Sequence, residues 1–194
     1  MREMVKLFIV VTLFSSISGG LLAMVKSATQ EKIELQQLTY VKGPAINQVL
    51  EGCTNNPLED RFKLKDGGRE IDFFIGEFEG KRNTVAFENA GKGFGGAMGV
   101  MVAIDMENDQ IRGIGITTHS ETPGVGSRVK TDPSFRRQFK GISVDAAFKI
   151  KAEGGDIDAI SGATVSSKGV ADTVMESVEI YKRLKKEIKN KAQG

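Results

Sequence analysis

A short run of hydroxyl-bearing and small residues is the part of this sequence best suited to chemistry. Residues 158–164 (DAISGAT) precede a long amphipathic pattern, which predicts a helix beginning around Thr164. Free backbone N–H groups and the positive dipole end at a helix start bind anions, above all phosphate. The hydroxyls of Ser166 and Ser167 add donors there. From the residues alone, the alternative is that Ser161 or Thr164 is simply the N-cap of this helix.

A second segment, residues 118–126 (THSETPGVG), directly follows a predicted strand. Its Pro123-Gly124 pair favours a tight turn, which would present Glu121 and Thr122 to a ligand. His119 is the one histidine of the chain, and a histidine side chain is suited to exchanging protons beside a bound group. The alternatives are a purely structural turn and an ordinary histidine at a strand end.

A third segment, residues 91–99 (GKGFGGAMG), contains five glycines in nine residues. Such a stretch permits close approach of the backbone to a planar ring. It lacks the Gly-Lys-Ser/Thr ending of a P-loop. It also does not open a strand–helix–strand unit, so it is not a dinucleotide-binding fingerprint.

The three segments, in this order, resemble the FMN-binding domain family over roughly residues 90–180. In that family a separate Mg-dependent flavin transferase uses FAD and joins FMN, through its phosphate, to the last threonine of the motif. The resemblance implies that Thr164 is this threonine and that FMN is held as a covalent phosphoester. It implies an attachment motif of Asp158, Ser161, Gly162 and Ala163, and a flavin pocket containing Ser166, Ser167, His119, Glu121, Thr122 and Gly124.

Within this family, the length of 194 residues and an apolar N-terminus resemble the G subunits of Rnf electron transport complexes. The C subunits of Na⁺-translocating NADH:quinone reductases are the related, typically longer alternative. The resemblance implies an electron carrier without a complete active site of its own. Its partners would be the other membrane subunits of a complex that couples ferredoxin/NAD⁺ electron transfer to Na⁺ or H⁺ transport. A membrane-anchored regulatory flavin domain, or an interaction domain without a cofactor, would also be compatible with these residues.

The composition excludes several classes of redox and binding protein. A single cysteine, Cys53, and a single histidine rule out a disulfide framework, an iron–sulfur cluster, a c-type haem and a Cys/His zinc site. Any redox chemistry therefore needs an organic cofactor, and no metal-binding or catalytic residue is predicted. The net charge is +2, and residues 182–194 contain six basic residues and one acidic residue. Without a general basic surface, a nucleic-acid partner is not expected.

The N-terminal elements indicate a membrane protein. Residues 7–25 form an uncharged run of 19 residues, which would span about 28 Å as a helix. Arg2 and Lys6 precede this run, so we expect a single-pass anchor with a cytoplasmic N-terminus and an extracytoplasmic domain. A cleaved signal peptide is the alternative. We therefore divide the chain into a stub and anchor (1–28), a helical and strand portion (29–89) and an FMN-binding region ending in an amphipathic helix (90–194).

The remaining patterns predict an α+β fold in which helices pack on one antiparallel sheet. Residues 100–106 and 111–118 flank a short polar turn and form the clearest predicted hairpin. If side chains alternate regularly along its second strand, Ile111 and Gly113 lie on the same face. The expected elements are a helical region at 29–53 broken at Gly43-Pro44, strands at 71–75, 84–87, 100–106 and 111–118, a short helix at 133–139 and a long helix from Thr164.

Overall fold

The N-terminal part of the molecule is a long helix. A computed structural model describes residues 1–193 and separates the chain into two compact units, the first Met1–Tyr40 and the second beginning at Val41. Helix α1 (Arg2–Gln36) has 35 residues, about 52 Å at the usual rise. Within residues 1–193 its portion Arg2–Gln30 is the one helix long and apolar enough to cross a membrane.

The helical region predicted at 29–53 is confirmed in type, but its irregularity comes earlier than expected. The six residues Gln37–Lys42 form a π-helical turn, and helix α2 (Gly43–Val49) follows it. Pro44 lies in the first turn of α2. A proline is tolerated there because an N–H at that position would have no partner inside the helix. The Gly-Pro pair therefore starts a helix.

The second unit is built on a five-stranded antiparallel sheet in which each strand pairs with the next along the chain. The strands are β1 (Arg61–Asp66), β2 (Arg69–Phe78), β3 (Lys81–Lys92), β4 (Ala97–Asp105) and β5 (Gln110–His119). Strand β1 was not predicted because its sequence, RFKLKD, is mostly charged and its side chains are largely exposed. With the helices described below, the predicted α+β fold is confirmed.

Helices cover both faces of the sheet. The long helix α5 (Thr164–Gln193) packs on β3 and closes the main core, which contains Phe87 and Val174. Helix α2 packs on the other face against β5. There a Cβ at Gly115 would lie 3.2 Å from the Cβ of Ala45, so the glycine allows close packing. The sheet is thus buried on two sides.

The face assignment predicted for β5 is wrong at its first residue. Ile104 pairs with Ile111, and Ala103 pairs with Gly113, so Arg112 is an extra residue in the ladder. This bulge turns Ile111 into the main core, whereas Gly113 faces α2. The Arg112 guanidinium lies 3.3 Å from the ring centroid of Phe78.

Short helices connect β5 to α5. Helix α3 spans Arg128–Thr131, helix α4 spans Pro133–Arg137, and a 3₁₀ turn spans Lys151–Glu153. The side chain of Asp132 caps α4 by accepting a hydrogen bond from the Ser134 N–H. The short helix predicted at 133–139 is confirmed, with an earlier end.

Candidate functional site

The three segments that suggested chemistry meet at one end of the sheet. The loop after β3, the turn after β5 and the first turn of α5 together line an open cavity of about 320 Å³. Its walls are Phe94, Glu121, Thr122, Val125, Gly126, Gly162, Ala163, Thr164, Val165 and Ser166. The sheet positions two of these segments because β3 and β5 both end at this edge, on either side of β4.

Glycines bring α5 against the end of β3. A Cβ at Gly169 would collide with the carbonyl oxygen of Lys92 and lie 3.2 Å from the Cα of Gly93. Thr173 lies one turn after Gly169 on α5, and its hydroxyl would collide with a Cβ at Gly91 of β3. These close approaches require glycine and place the first turn of α5 beside the glycine-rich loop.

A buried carboxylate joins the three segments. Glu121 is 6% exposed, and its Oε1 accepts a hydrogen bond from the Gly95 N–H at 3.1 Å. Its Oε2 accepts from the hydroxyl of Ser166 at 2.6 Å. His119 contacts the same turn from the other side, because its Nδ1 accepts from the Glu121 N–H at 3.3 Å. The Glu121 side chain therefore fixes the loop and the helix to each other.

Neither Ser161 nor Thr164 caps α5. Instead the buried Ser167 hydroxyl accepts from the Ile160 N–H at 3.0 Å and donates to the Ala163 carbonyl at 2.9 Å, which holds the loop before the helix. Among residues 1–193, no acceptor contacts the backbone N–H groups of Thr164, Val165 or Ser166. These groups are three of the four that an α-helix leaves unpaired at its start.

Exposed apolar side chains surround Thr164, whose own side chain is exposed. Phe94 is 73% exposed, Val165 53% and Val125 45%. An apolar cluster left open to water beside unpaired N–H groups is typical of a ligand site. Sequence reasoning did not select these three residues. The signal available was a phenylalanine within a run of glycines, where no core position is expected.

Some predicted site residues lie outside the cavity wall. Asp158 is exposed and pairs with Lys151 at 2.8 Å, while its backbone exchanges two hydrogen bonds with the side chain of Gln138. Ser161, Ser167, His119 and Gly124 also do not line the cavity. Gly124 has a φ of +75°, and its N–H donates to the Ser127 hydroxyl, so it shapes the turn.

Lys168, a charged residue near the cavity, is paired with acidic residues. Lys168, one turn after Thr164, donates to Glu153 at 2.7 Å, and this hydrogen bond raises the pKa of Lys168. No group of three or more His, Cys, Asp or Glu side chains with metal-binding geometry occurs in the part of the chain that the structure describes. The unpaired N–H groups at the start of α5 suit an anion, and the exposed apolar side chains beside them suit an apolar ring.

Comparison with known proteins identifies relatives of this chain. The FMN-binding domain profile matches residues 93–179, a range that contains the cavity walls. The chain is 28% identical to the G subunit of the ion-translocating oxidoreductase complex of Methanosarcina acetivorans, over 92% of its own length and 94% of the relative's. It is 32% identical to the G subunit of the proton-translocating ferredoxin:NAD(+) oxidoreductase complex of Clostridium ljungdahlii, over 72% of this chain and 78% of that protein.

A solved structure that this chain matches is the C subunit of the Na(+)-translocating NADH-quinone reductase from Parabacteroides distasonis. It is 26% identical and has a TM-score of 0.49, covering 58% of this chain and 61% of its own. The two G-subunit relatives match most of this chain, and the match spans most of their own lengths. This chain therefore belongs to the FMN-binding-domain family that includes the G subunits of ion-translocating oxidoreductase complexes.

Proposed function

We propose that this protein is the electron-carrying G subunit of an ion-translocating oxidoreductase complex of the Rnf type and holds FMN covalently on Thr164. The observation that carries the proposal is that exposed Thr164 lines the cavity at a helix start whose N–H groups are unpaired, together with exposed apolar side chains. The relatives named as G subunits of such complexes support it.

The residues fit the two halves of FMN. A phosphoester on Thr164 would place its phosphate oxygens beside the N–H groups of Thr164, Val165 and Ser166, which favour an anion. Phe94, Val125 and Val165 offer apolar surface to a planar ring. No basic side chain lines the cavity, so the helix start supplies the positive potential.

Attachment would be a phosphoryl exchange in which a separate flavin transferase acts on FAD. The Thr164 Oγ would form a bond to the FMN phosphorus of FAD while the pyrophosphate bond to AMP broke, and the hydroxyl proton would pass to a base of the transferase or to the departing AMP. The exposure of Thr164 supports access by a second enzyme. Asp158 lies on the same exposed loop, where the transferase can contact it.

Once bound, FMN supplies the redox chemistry, and this chain supplies position and shielding. Glu121, Ser166 and Ser167 hold the walls of the cavity in place. A covalent bond keeps the cofactor at high local concentration whatever its intrinsic affinity. An open cavity would then be sufficient to hold the cofactor while leaving it accessible for electron exchange with other subunits.

We infer that α1 anchors the subunit in the membrane as a single span. Arg2 and Lys6 favour a cytoplasmic N-terminus, which places the FMN domain on the extracytoplasmic side. The partners would be the other membrane subunits of the complex and, during maturation, the flavin transferase. The name of the Clostridium ljungdahlii relative supports electron transfer between ferredoxin and NAD⁺ with proton movement.

The test is to express the full chain with a flavin transferase and look for flavin fluorescence in the denatured gel band. We expect fluorescence in the parent and in Thr164→Ser, which keeps a hydroxyl, and none in Thr164→Ala. Thr122→Ala, which removes another exposed threonine of the same cavity, is the matched control and should stay fluorescent. A dark parent band, beside a substrate that the transferase does label, would refute the attachment.

A further inference from the structure

We propose that Glu121 is a positioning residue that sets the separation of the two walls of the flavin cavity through the hydrogen bonds of its carboxylate. This inference rests on the proposed function, because it concerns how the site presents Thr164. One wall begins at Phe94 and the other at Thr164. The Glu121 carboxylate accepts one hydrogen bond from the N–H of Gly95, next to Phe94, and another from the hydroxyl of Ser166, two residues after Thr164.

The position of the carboxylate is built into the backbone around it. A Cβ at Gly93 would collide with Glu121 Oε1, and a Cβ at Gly126 would collide with Oε2. A Cβ at Gly95 would collide with the carbonyl oxygen of Ser120. Two glycines from two segments, Gly93 and Gly126, thus leave the space that the Glu121 carboxylate occupies, and Gly95 leaves space for the backbone just before it.

Both carboxylate oxygens are already engaged. Oε1 accepts from the Gly95 N–H and Oε2 from Ser166, and the residue is 6% exposed. A carboxylate would also repel the phosphate group expected at Thr164, so phosphate binding does not explain an acidic residue here. The acidic residue is explained by its two hydrogen bonds, which align the glycine-rich loop with α5.

The side chain must have the length of glutamate. Aspartate at position 121 is one methylene shorter and could not reach both the Gly95 N–H and the Ser166 hydroxyl from the same backbone. Glutamine has the same length and can still accept from Gly95. The Ser166 hydroxyl can rotate to accept from its amide, so geometry is preserved while the charge is lost.

The experiment uses the full chain carrying Glu121→Gln, Glu121→Asp or Glu121→Ala. Glu176→Ala, which removes an exposed glutamate of α5, is the matched control. Hydrogen exchange of the Gly95 amide is measured without flavin, and the visible circular dichroism and fluorescence anisotropy of the attached flavin are measured in the labelled protein. We expect Gly95 to exchange about tenfold faster in the Asp and Ala variants. Both flavin signals should fall in these variants, with Gln and the control close to the parent.

Two results would overturn the proposal. The first is unchanged Gly95 exchange and unchanged flavin dichroism in Glu121→Ala. The second is a flavin midpoint potential that rises equally in the Gln and Ala variants while the dichroism stays constant, which would assign Glu121 an effect of charge. If the parent takes up no flavin, the proposed function fails. The exchange of Gly95 still decides whether Glu121 joins the two walls.

Discussion

The two ends of helix α5 are held to the sheet in different ways. At its C-terminal half, charged and hydroxyl side chains bind acidic residues of the sheet turns: Lys185 and Tyr181 both donate to Asp109, at 2.6 and 2.8 Å, and Arg183 pairs with Asp66 at 2.7 Å. At its N-terminal turn the first backbone N–H groups are unpaired. Two features hold the helix there: close packing at glycines, and the hydrogen bond from Ser166 to the buried Glu121 carboxylate.

Electrostatics stabilise the C-terminal half. Burial raises the pKa of the Asp109 carboxyl, but the hydrogen bonds from Lys185 and Tyr181 outweigh it and lower that pKa below its ordinary value. Burial, and then the hydrogen bond to Asp109, raise the pKa of the Tyr181 hydroxyl. Basic residues at a helix C-terminus also interact favourably with the helix dipole. Tyr181, Arg183 and Lys185 thus all have acidic partners within the protein.

The N-terminal turn lacks a satisfied cap, which would typically stabilise a helix by about 1 kcal/mol. Its N–H groups are instead available to an anion. Close packing through glycine keeps the helix in place without covering these groups. The difference indicates that α5 is fixed at one end so that its other end can remain open for a ligand.

The change expected to weaken the N-terminal attachment most is Gly169→Ala. Alanine normally favours a helix by about 1 kcal/mol over glycine. Here its Cβ would meet the Lys92 carbonyl oxygen, and the backbone cannot move aside without separating α5 from β3. We expect a net loss of about 2 kcal/mol in the free energy of unfolding, together with reduced labelling of Thr164 by the transferase. Urea unfolding in detergent and gel fluorescence measure the two effects.

Gly91→Ala is the matched control for this prediction, because its Cβ would meet a side chain instead of backbone. A rotamer change of Thr173 relieves the contact with its hydroxyl but leaves its Cβ 2.9 Å from the added methyl, so we expect a loss that is smaller than for Gly169→Ala but not zero. Equal losses in the two variants would show that the backbone contact of Gly169 is not what fixes the N-terminal turn.

The elements of this site were predictable because each has a local signal. Residues 158–164 precede an amphipathic pattern, which gives the start of α5, and Pro123-Gly124 gives the turn after β5. The pairing of β4 with β5 follows from alternation on both sides of a short polar turn. The resemblance of three short motifs then placed the segments in one family.

The features that could not be predicted from the sequence depend on contacts between residues distant along the chain. The bulge at Arg112 is a property of two paired strands, and no local pattern marks which residue is extra. The Glu121 contacts reach 26 residues back and 45 residues forward, so its burial could not be inferred from the turn alone. Phe94 is exposed despite being apolar, and hydrophobicity would assign it to the core.

The pH dependence of Asp109→Asn sharpens the contrast from the C-terminal side. Asparagine tolerates the positive φ of +52° at this position and can still accept from Tyr181, so the substitution mainly removes the charge that faces Lys185. We expect a loss of about 1 kcal/mol in unfolding free energy at pH 7, because the pair is about one-third exposed.

The sign of this dependence follows from the lowered pKa of Asp109. The carboxylate stabilises the fold above its unfolded pKa, near 3.8, and this contribution is lost as pH falls through the lower folded value. Parent and variant should therefore converge below pH 4 in urea unfolding curves. Asp145→Asn, at an 82% exposed partner of Lys182, should change little at either pH. A difference between parent and variant that does not shrink as the pH falls below 3.8 would mean that the charge is not what holds this end.

The smallest effect on stability is expected from Phe94→Ala at the open end. The side chain is 73% exposed, so the free energy of unfolding should change by less than about 0.5 kcal/mol. Iodide quenching of the attached flavin should nevertheless increase, because the proposed ring loses an apolar neighbour that excludes water and ions. Met175→Ala, on an exposed part of α5 away from the cavity, should change neither quantity. If Phe94→Ala instead destabilises the protein as strongly as Asp109→Asn, the N-terminal end is held by side-chain packing as well, and the contrast between the two ends fails.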